Sequence, residues 1–298
     1  VKKHIDILIT CDIDPTPEAS IEDKREALRR CGDLFNEMGI KATFYTVGNI
    51  AADYQTELLE LMENGHEIGC HGLTHDNDEE YSTLSYERAK DYLSRAKTAI
   101  ENVTGVAVRA FRGPRVKTSH RTQQALEELG FTSDSSVCPQ RIDFISSNLI
   151  NPHWITAPRK TYRPHIKSAF KRGQRNLAVI PVSALVMPFI SGMLYIFGFL
   201  MMRIFFKLLC FESRITGKPI VYLLHPSEYA PMTKAVKHEQ SAKAILARGF
   251  YFRRHLKLRH TPEDRFQLTR RLLEAMVKTD RIKFLTATDY AESFLDPR

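Results

Sequence analysis

Cysteine is scarce here, and the little there is does not pair. Five cysteines, Cys11, Cys31, Cys70, Cys138 and Cys210, are spread over 298 residues. Their odd number, and the lack of any Cys-x-x-Cys pair, speak against a disulfide scaffold and fit a reducing compartment. Acidic charge is also in deficit, with 35 Asp and Glu against 43 Lys and Arg, a balance of +8. No helix-turn-helix, RNA-recognition or zinc-finger spacing accompanies the basic excess, so nucleic acid is not the expected partner. The chain shows no internal repeat and no low-complexity tract. No cationic, apolar leader precedes the first strand, from which a cytoplasmic location is expected, with peripheral contact to the inner face of the membrane as the variant. Hydrophobic residues make up 43%, close to the globular average, which argues against disorder and against a polytopic membrane protein.

What is present is alternation of strand and helix. Apolar, β-branched runs predict strands over 4–12, 41–47, 66–70, 107–111, 177–182, 220–224 and 283–287. Periodic patterns with capping signals predict helices over 21–38, 53–64, 85–103, 119–129, 262–278 and 289–295. Ser20 followed by Asp23 reads as a capping box, and Gly39, Gly65 and Gly130 as helix stops. Such alternation calls for a parallel sheet with helices around it, and the length suits one α/β barrel domain over 1–298. An irregular basic and apolar excursion at about 137–215 interrupts the pattern.

That excursion contains an apolar run, Leu185 to Phe211, long enough to suggest a membrane span at about 20 residues per crossing. Pro188 and Gly192 break its start, Arg203 and Lys207 lie four apart on one face, and a span inside an α/β domain would disrupt the sheet. A helix packed beside the site is expected, with membrane-interface contact as the alternative. Basic clusters at Arg159 to Arg175 and Arg253 to Arg259 make 159–211 and 253–260 the stretches through which an anionic lipid surface would be met.

Chemistry-bearing residues gather at predicted strand ends. Asp12 and Asp14, two apart at the end of the first strand, share a side. Two carboxylates on one side need a counter-charge. His71 and His75 would complete it: a divalent cation held by one aspartate and two neutral imidazoles suits zinc, or cobalt, nickel or manganese, and leaves the other aspartate free for proton transfer. Arg112 and His225 also follow strands, as catalytic groups do on the carboxyl face of a barrel. Trp154 and Tyr229 are candidate substrate walls.

Taken in order, Thr10-Cys11-Asp12-Ile13-Asp14, His71-Gly72-Leu73-Thr74-His75, Phe111-Arg112-Gly113-Pro114 and Leu223-Leu224-His225-Pro226 resemble four motifs of the polysaccharide deacetylases of NodB homology, carbohydrate esterase family four. The resemblance implies a distorted (β/α) barrel of parallel strands. It implies Asp12 as catalytic base, Asp14, His71 and His75 as metal ligands, Arg112 as the residue orienting the base and His225 as general acid. Pro114, in the Arg-x-Pro motif, falls among the substrate-binding candidates.

Three departures stand out. Ile13 separates two aspartates that are typically adjacent in sugar-polymer deacetylases, which resembles the branch containing peptidoglycan-deacetylase-like proteins and cyclic-amide hydrolases of the allantoinase type. Gly72 stands where many members carry Ser or Thr, and Arg115 where an aromatic commonly follows. The implied function is metal-dependent removal of an N-acyl group, acetyl first, from an amino sugar of a glycan or lipid-linked saccharide in the cell envelope. The alternatives are opening of a cyclic amide, and a catalytically silent glycan- or lipid-binding relative. The partner implied is an N-acylated saccharide, and an oligomer is compatible with the sequence.

Overall fold

The structure, a computed structural model, describes residues 4–16, 19–140, 153–231 and 259–296. At its centre runs β1 (Ile5–Ile13), whose side chains alternate between two buried surfaces. Ile5, Ile7, Ile9 and Cys11 pack with Leu28 and Phe35 of the first helix, α1 (Ile21–Glu37), in one apolar cluster. Leu8 joins a second cluster with Tyr45, Ala178 and Val221. The same period of two carries Thr10 and Asp12 onto the Leu8 side, inside the curl of the sheet.

The strands that follow are β2 (Ala42–Thr46), β3 (Glu67–Cys70), β4 (Ala110–Phe111), β5 (Ser133–Asp134), β6 (Pro164–His165), β7 (Ser168–Arg172), β8 (Ala178–Val179), β9 (Ala184–Leu185), β10 (Met187–Pro188), β11 (Ile220–Leu224) and β12 (Ile282–Phe284). The main sheet has the order β11-β1-β2-β3-β4-β5-β8, with β12 also paired to β1, and every pairing in it is parallel. The sheet is a curled half-barrel. Its ends are joined by irregular chain: Ser183 N donates to Val221 O at 3.2 Å, and Ile190 forms a parallel bridge with Leu223. The expected distorted barrel of parallel strands is thus the fold.

The helices are α1, α2 (Gln55–Glu63), α3 (Tyr86–Thr104), α4 (His120–Glu128), α5 (His153–Thr156), α6 (Ser191–Thr216), α7 (Pro262–Val277) and α8 (Ala287–Leu295). Ser20 caps α1 by accepting from Asp23 N, while its hydroxyl donates to the Asp23 carboxylate. The complete capping box is at Thr261 and Asp264, opening α7.

Several predicted elements differ in extent. The helix expected over 53–64 is a 3-10 turn, Gly48–Tyr54, followed by α2. The strand expected over 107–111 shortens to Ala110–Phe111, because the backbone N–H of Val108 is taken by the Glu101 side chain at 2.9 Å rather than by a ladder. The excursion holds two small antiparallel pairs, β6 with β7 and β9 with β10, before α6. Its basic residues are partly tied up inside the protein: Arg159 pairs with Glu212 and Arg175 with Glu127, both at 2.8 Å. Arg159 and Arg175 are thus engaged within the protein, whereas Lys160, Lys167, Lys171 and Arg172 of the same stretch are exposed. Of the stretch 253–260, residues 253–258 lie outside the described residues.

Candidate active site

Four strands deliver the site from their carboxyl ends: Asp12 is the last residue but one of β1, with Asp14 just beyond that strand, His71 follows β3, Arg112 follows β4 and His225 follows β11. His71 N donates to Thr46 O and Arg112 N to Cys70 O, so neighbouring strand ends hold one another in register.

One carboxylate and two imidazoles converge. The donor atoms of Asp14, His71 and His75 all lie within 4.8 Å of one another. Asp14 Oδ1 is 3.1 Å from His71 Nε2 and 3.7 Å from His75 Nε2. That oxygen is buried and has no well-aligned hydrogen-bond donor, facing only the two imidazoles, an expensive state for a carboxylate unless a cation meets it. His71 Nδ1 lies 2.7 Å from the Arg112 carbonyl oxygen; donation to that oxygen leaves the Nε2 lone pair pointing at the aspartates, the usual bracing of a metal-bound imidazole. The donor set and the orphaned oxygen fit a divalent ion with oxygen and nitrogen ligands.

Electrostatics agree with the geometry. Burial would raise the Asp14 carboxyl, but the imidazoles of His71, His225 and His75 outweigh it and hold it well below its ordinary value. Burial works against the charge on His71, and Asp12 and Asp14 overcome it, holding its pKa above the ordinary value. His75 is pushed down by burial first, then by the positive neighbours His71 and Arg115.

Asp12 lies apart from the donor cluster. Its Oδ1 accepts from Arg112 Nη1 at 2.9 Å, which leaves Oδ2 facing His71 Nε2 at 3.9 Å and His225 Nε2 at 4.0 Å. Arg112 is wholly buried and each end of its guanidinium is used. Nη1 also donates to Thr10 Oγ1 at 2.9 Å, Nε to Ser135 O at 3.1 Å and Nη2 to Ser135 Oγ at 2.8 Å, while the plane lies over the Tyr45 ring at 4.5 Å. Across the site, His225 Nε2 is 3.6 Å from Asp14 Oδ2, and Glu228 Oε1 is 4.0 Å behind its Nδ1.

The histidine loop is held by a residue that sequence reasoning missed. Glu79 is fully buried and its two oxygens accept from the backbone N–H groups of Leu73, Thr74 and His75 at 2.6, 2.7 and 2.8 Å. Thr74 Oγ1 and Tyr81 Oη donate to it as well. These bonds outweigh burial and hold its carboxyl below the ordinary value. Glu79 sits in the acidic run Asp76 to Glu80, which reads as a solvated loop, so nothing in the sequence marks it. His75 itself is in the left-handed region at φ 66, a conformation the loop must impose.

Two of the three departures from the family pattern, Gly72 and Arg115, touch this loop. At Gly72, φ is +81 and a Cβ would come within 2.7 Å of Glu79 Oε1, so a side chain there would collide with the clamp. Arg115 reaches back to donate to the carbonyl oxygens of His75, Asp76 and Glu79 at 3.2, 3.1 and 3.2 Å. Pro114 is buried, with its ring 3.0 Å from that same Gly72 Cβ position.

Two expected substrate walls lie in apolar packing instead. Trp154 is 4% exposed in a cluster with Val137, Tyr162 and Val182. Tyr229 is buried against Phe266 and donates to Thr269 Oγ1 at 3.0 Å. Substrate contact is not proposed for either.

Residues 2–133 match the sequence model of the family described as polysaccharide deacetylase. The chain is 26% identical over 104 residues to the peptidoglycan deacetylase of Helicobacter pylori, a match covering 35% of this chain and 34% of that protein, so it spans about a third of the curated relative's length. The fold is similar to that of a putative polysaccharide deacetylase from Mycobacterium smegmatis, at TM-score 0.63 and 16% identity over 98% of this chain and 90% of the other. It is equally similar to that of an allantoinase, at TM-score 0.61 and 14% identity over 100% and 93%. Asp12, Asp14, His71, His75 and Arg112 fall inside the matched segment and His225 outside it. The likeness to the polysaccharide deacetylase family is thus carried by residues 2–133, under half of the chain, and it includes five of the six site residues.

Proposed function

We propose that the protein is a metal-dependent amide hydrolase that removes an N-acyl group, acetyl in the first instance, from an amino sugar of a glycan or lipid-linked saccharide. The observation that carries the reading is the division of labour between the two aspartates. Asp14 joins His71 and His75 in one donor cluster, while Asp12 stands outside it with one oxygen held by Arg112 and the other open. A divalent ion held by Asp14, His71 and His75, zinc being the best match to these donors, supplies Lewis acidity to the scissile carbonyl and to water.

The chain's own groups handle the protons. Asp12 Oδ2 takes one from the attacking water as the carbon–oxygen bond forms. Arg112, anchored by Thr10 and Ser135, keeps that carboxylate aimed. His225 Nε2, 4.0 Å from Asp12 Oδ2 and 3.6 Å from Asp14 Oδ2, gives a proton to the amide nitrogen as the carbon–nitrogen bond breaks. A carboxylic acid and an amine leave. Without that second proton the nitrogen would depart as a poor leaving group.

The test is Asp12→Ala in a zinc- or cobalt-loaded protein, with acetate release from N-acetylated oligosaccharides followed alongside bound metal. Retained metal with turnover reduced by about 10² or more is expected; normal turnover would end the mechanism. Ile13, which spaces the two aspartates, favours a second reading in which the same groups open a cyclic amide. Ring-opened product from a ureide or imide, with no acetate from any glycan, would select it. A silent binding relative is disfavoured by the presence of all six residues.

A further inference from the structure

Water-facing apolar side chains concentrate on one helix. Leu200, Met201, Ile204, Leu208, Phe211 and Ile215 of α6 are each between 47% and 69% exposed. At 100° per residue they form a single stripe about 100° wide and about 22 Å long. The opposite face, with Met202, Phe205, Phe206 and Leu209, is buried in the core. Arg203, Lys207 and Arg214 project between these two faces, all along the same edge of the stripe.

Beyond that edge lies α7. Arg203 and Lys207 from α6 meet Arg271 and Lys278 from α7 around a cavity of about 410 Å³, where Glu274 is the one carboxylate. Arg271 stacks over Phe199 at 4.4 Å. Among the described residues these four cations make no ion pair.

An apolar stripe alone does not say what covers it, but its border does. The stripe offers no hydrogen-bonding group, and its margin offers four cations around a hollow, which is complementary to acyl chains beneath a layer of phosphates. The helix is long and apolar enough to cross a bilayer, yet one face is packed inside the protein, so it would lie along the surface rather than span. We propose that the outer face of α6 docks on membranes. Its stripe enters the acyl boundary, and Arg203, Lys207, Arg271 and Lys278 take the phosphates of anionic lipids. The parallel bridge between Ile190 and Leu223 sets the start of α6 beside the carboxyl end of β11, the end that carries His225. The stripe itself starts at Leu200, just past the kink at Gly198.

The full chain is to be sedimented with vesicles of phosphatidylcholine alone and of phosphatidylcholine mixed with phosphatidylglycerol, without regard to activity. Recruitment by the mixed vesicles at low salt, weakening as salt is raised, is expected. At about fivefold per basic residue, the pair Arg203→Glu and Lys207→Glu should lower partitioning by more than about tenfold. The pair Leu200→Ser and Leu208→Ser should lower it at every salt concentration. All four residues are exposed, and circular dichroism and melting of the variants establish that the fold persists. Failure of the unsubstituted protein to sediment with the mixed vesicles at low salt overturns the proposal, as does binding by both double variants equal to that of the unsubstituted protein. So does a dimer in sedimentation velocity that the serine pair dissociates, since a second copy would then cover the stripe.

Discussion

Arg112 Nη1 donates to Asp12 Oδ1 at 2.9 Å across 100 positions of sequence, and both side chains are buried. A buried pair of this kind is costly to break from one side. Arg112→Met is expected to destabilise the protein by about 3–5 kcal/mol, because Asp12 is left as an uncompensated buried charge. Arg112→Lys should keep the fold but lose turnover, since one ammonium cannot reach Asp12, Thr10 and Ser135 together. Denaturant midpoints check the first expectation and acetate release the second; a Met variant as stable as the parent would show that the pair carries no such weight.

Glu79 positions the histidine loop through three backbone N–H groups. Glu79→Gln replaces one accepting oxygen by an NH₂ that faces donors. Metal affinity is expected to fall by about 10- to 100-fold, the range typical of lost outer-shell support, with the fold retained. Competition against a chromophoric chelator measures it, and unchanged affinity would remove Glu79 from the site's support.

Gly72→Ala tests the same loop from the other side. The left-handed backbone and the 2.7 Å approach to Glu79 Oε1 predict a loss of about 1–3 kcal/mol. Thermal and urea unfolding give the value. A variant as stable as the parent would mean that the loop relaxes freely.

His66 makes stability depend on pH. Its Nδ1 accepts from Ala42 N at 3.3 Å, and its Nε2 lies 3.1 Å from Asn36 Oδ1, so the neutral ring is the form that the fold holds. Burial, helped by Lys41, pushes its pKa down to about 4. Between that value and the ordinary one near 6.5 the unfolded chain binds a proton that the folded chain refuses, so stability falls as pH drops through this window. The contribution is at most about 3 kcal/mol. His66→Gln should flatten the pH dependence of unfolding between these limits, and an unchanged slope would assign the dependence elsewhere.

Metal loading should stabilise the protein. At a free ion concentration of about 100 Kd the gain is about 2.7 kcal/mol, seen as a higher melting temperature that a chelator reverses. His75→Ala should abolish most of that gain. A melting temperature indifferent to both zinc and chelator would count against a cation at Asp14, His71 and His75.

The amino-acid sequence by itself determined the alternation of strands and helices. It also placed Asp12 at the end of a strand and His71, Arg112 and His225 just past one, because periodicity and capping are local properties of the chain. The pairing of His71 with His75 was legible for the same reason, as a spacing of four. Shorter strands such as β4 were not, since whether Val108 joins a ladder depends on Glu101 reaching it from a helix. Trp154 read as a surface for substrate, but packing put it in the core. Only the tertiary structure decided that Asp14 gathers with His71 and His75 while Arg112 holds Asp12, that Glu79 is an internal clamp and not a solvated acid, and that α6 hides one face and shows the other. Each of those outcomes depends on partners brought together through space from distant parts of the chain, and hydrogen bonds and burial are set by that proximity, not by order along the backbone.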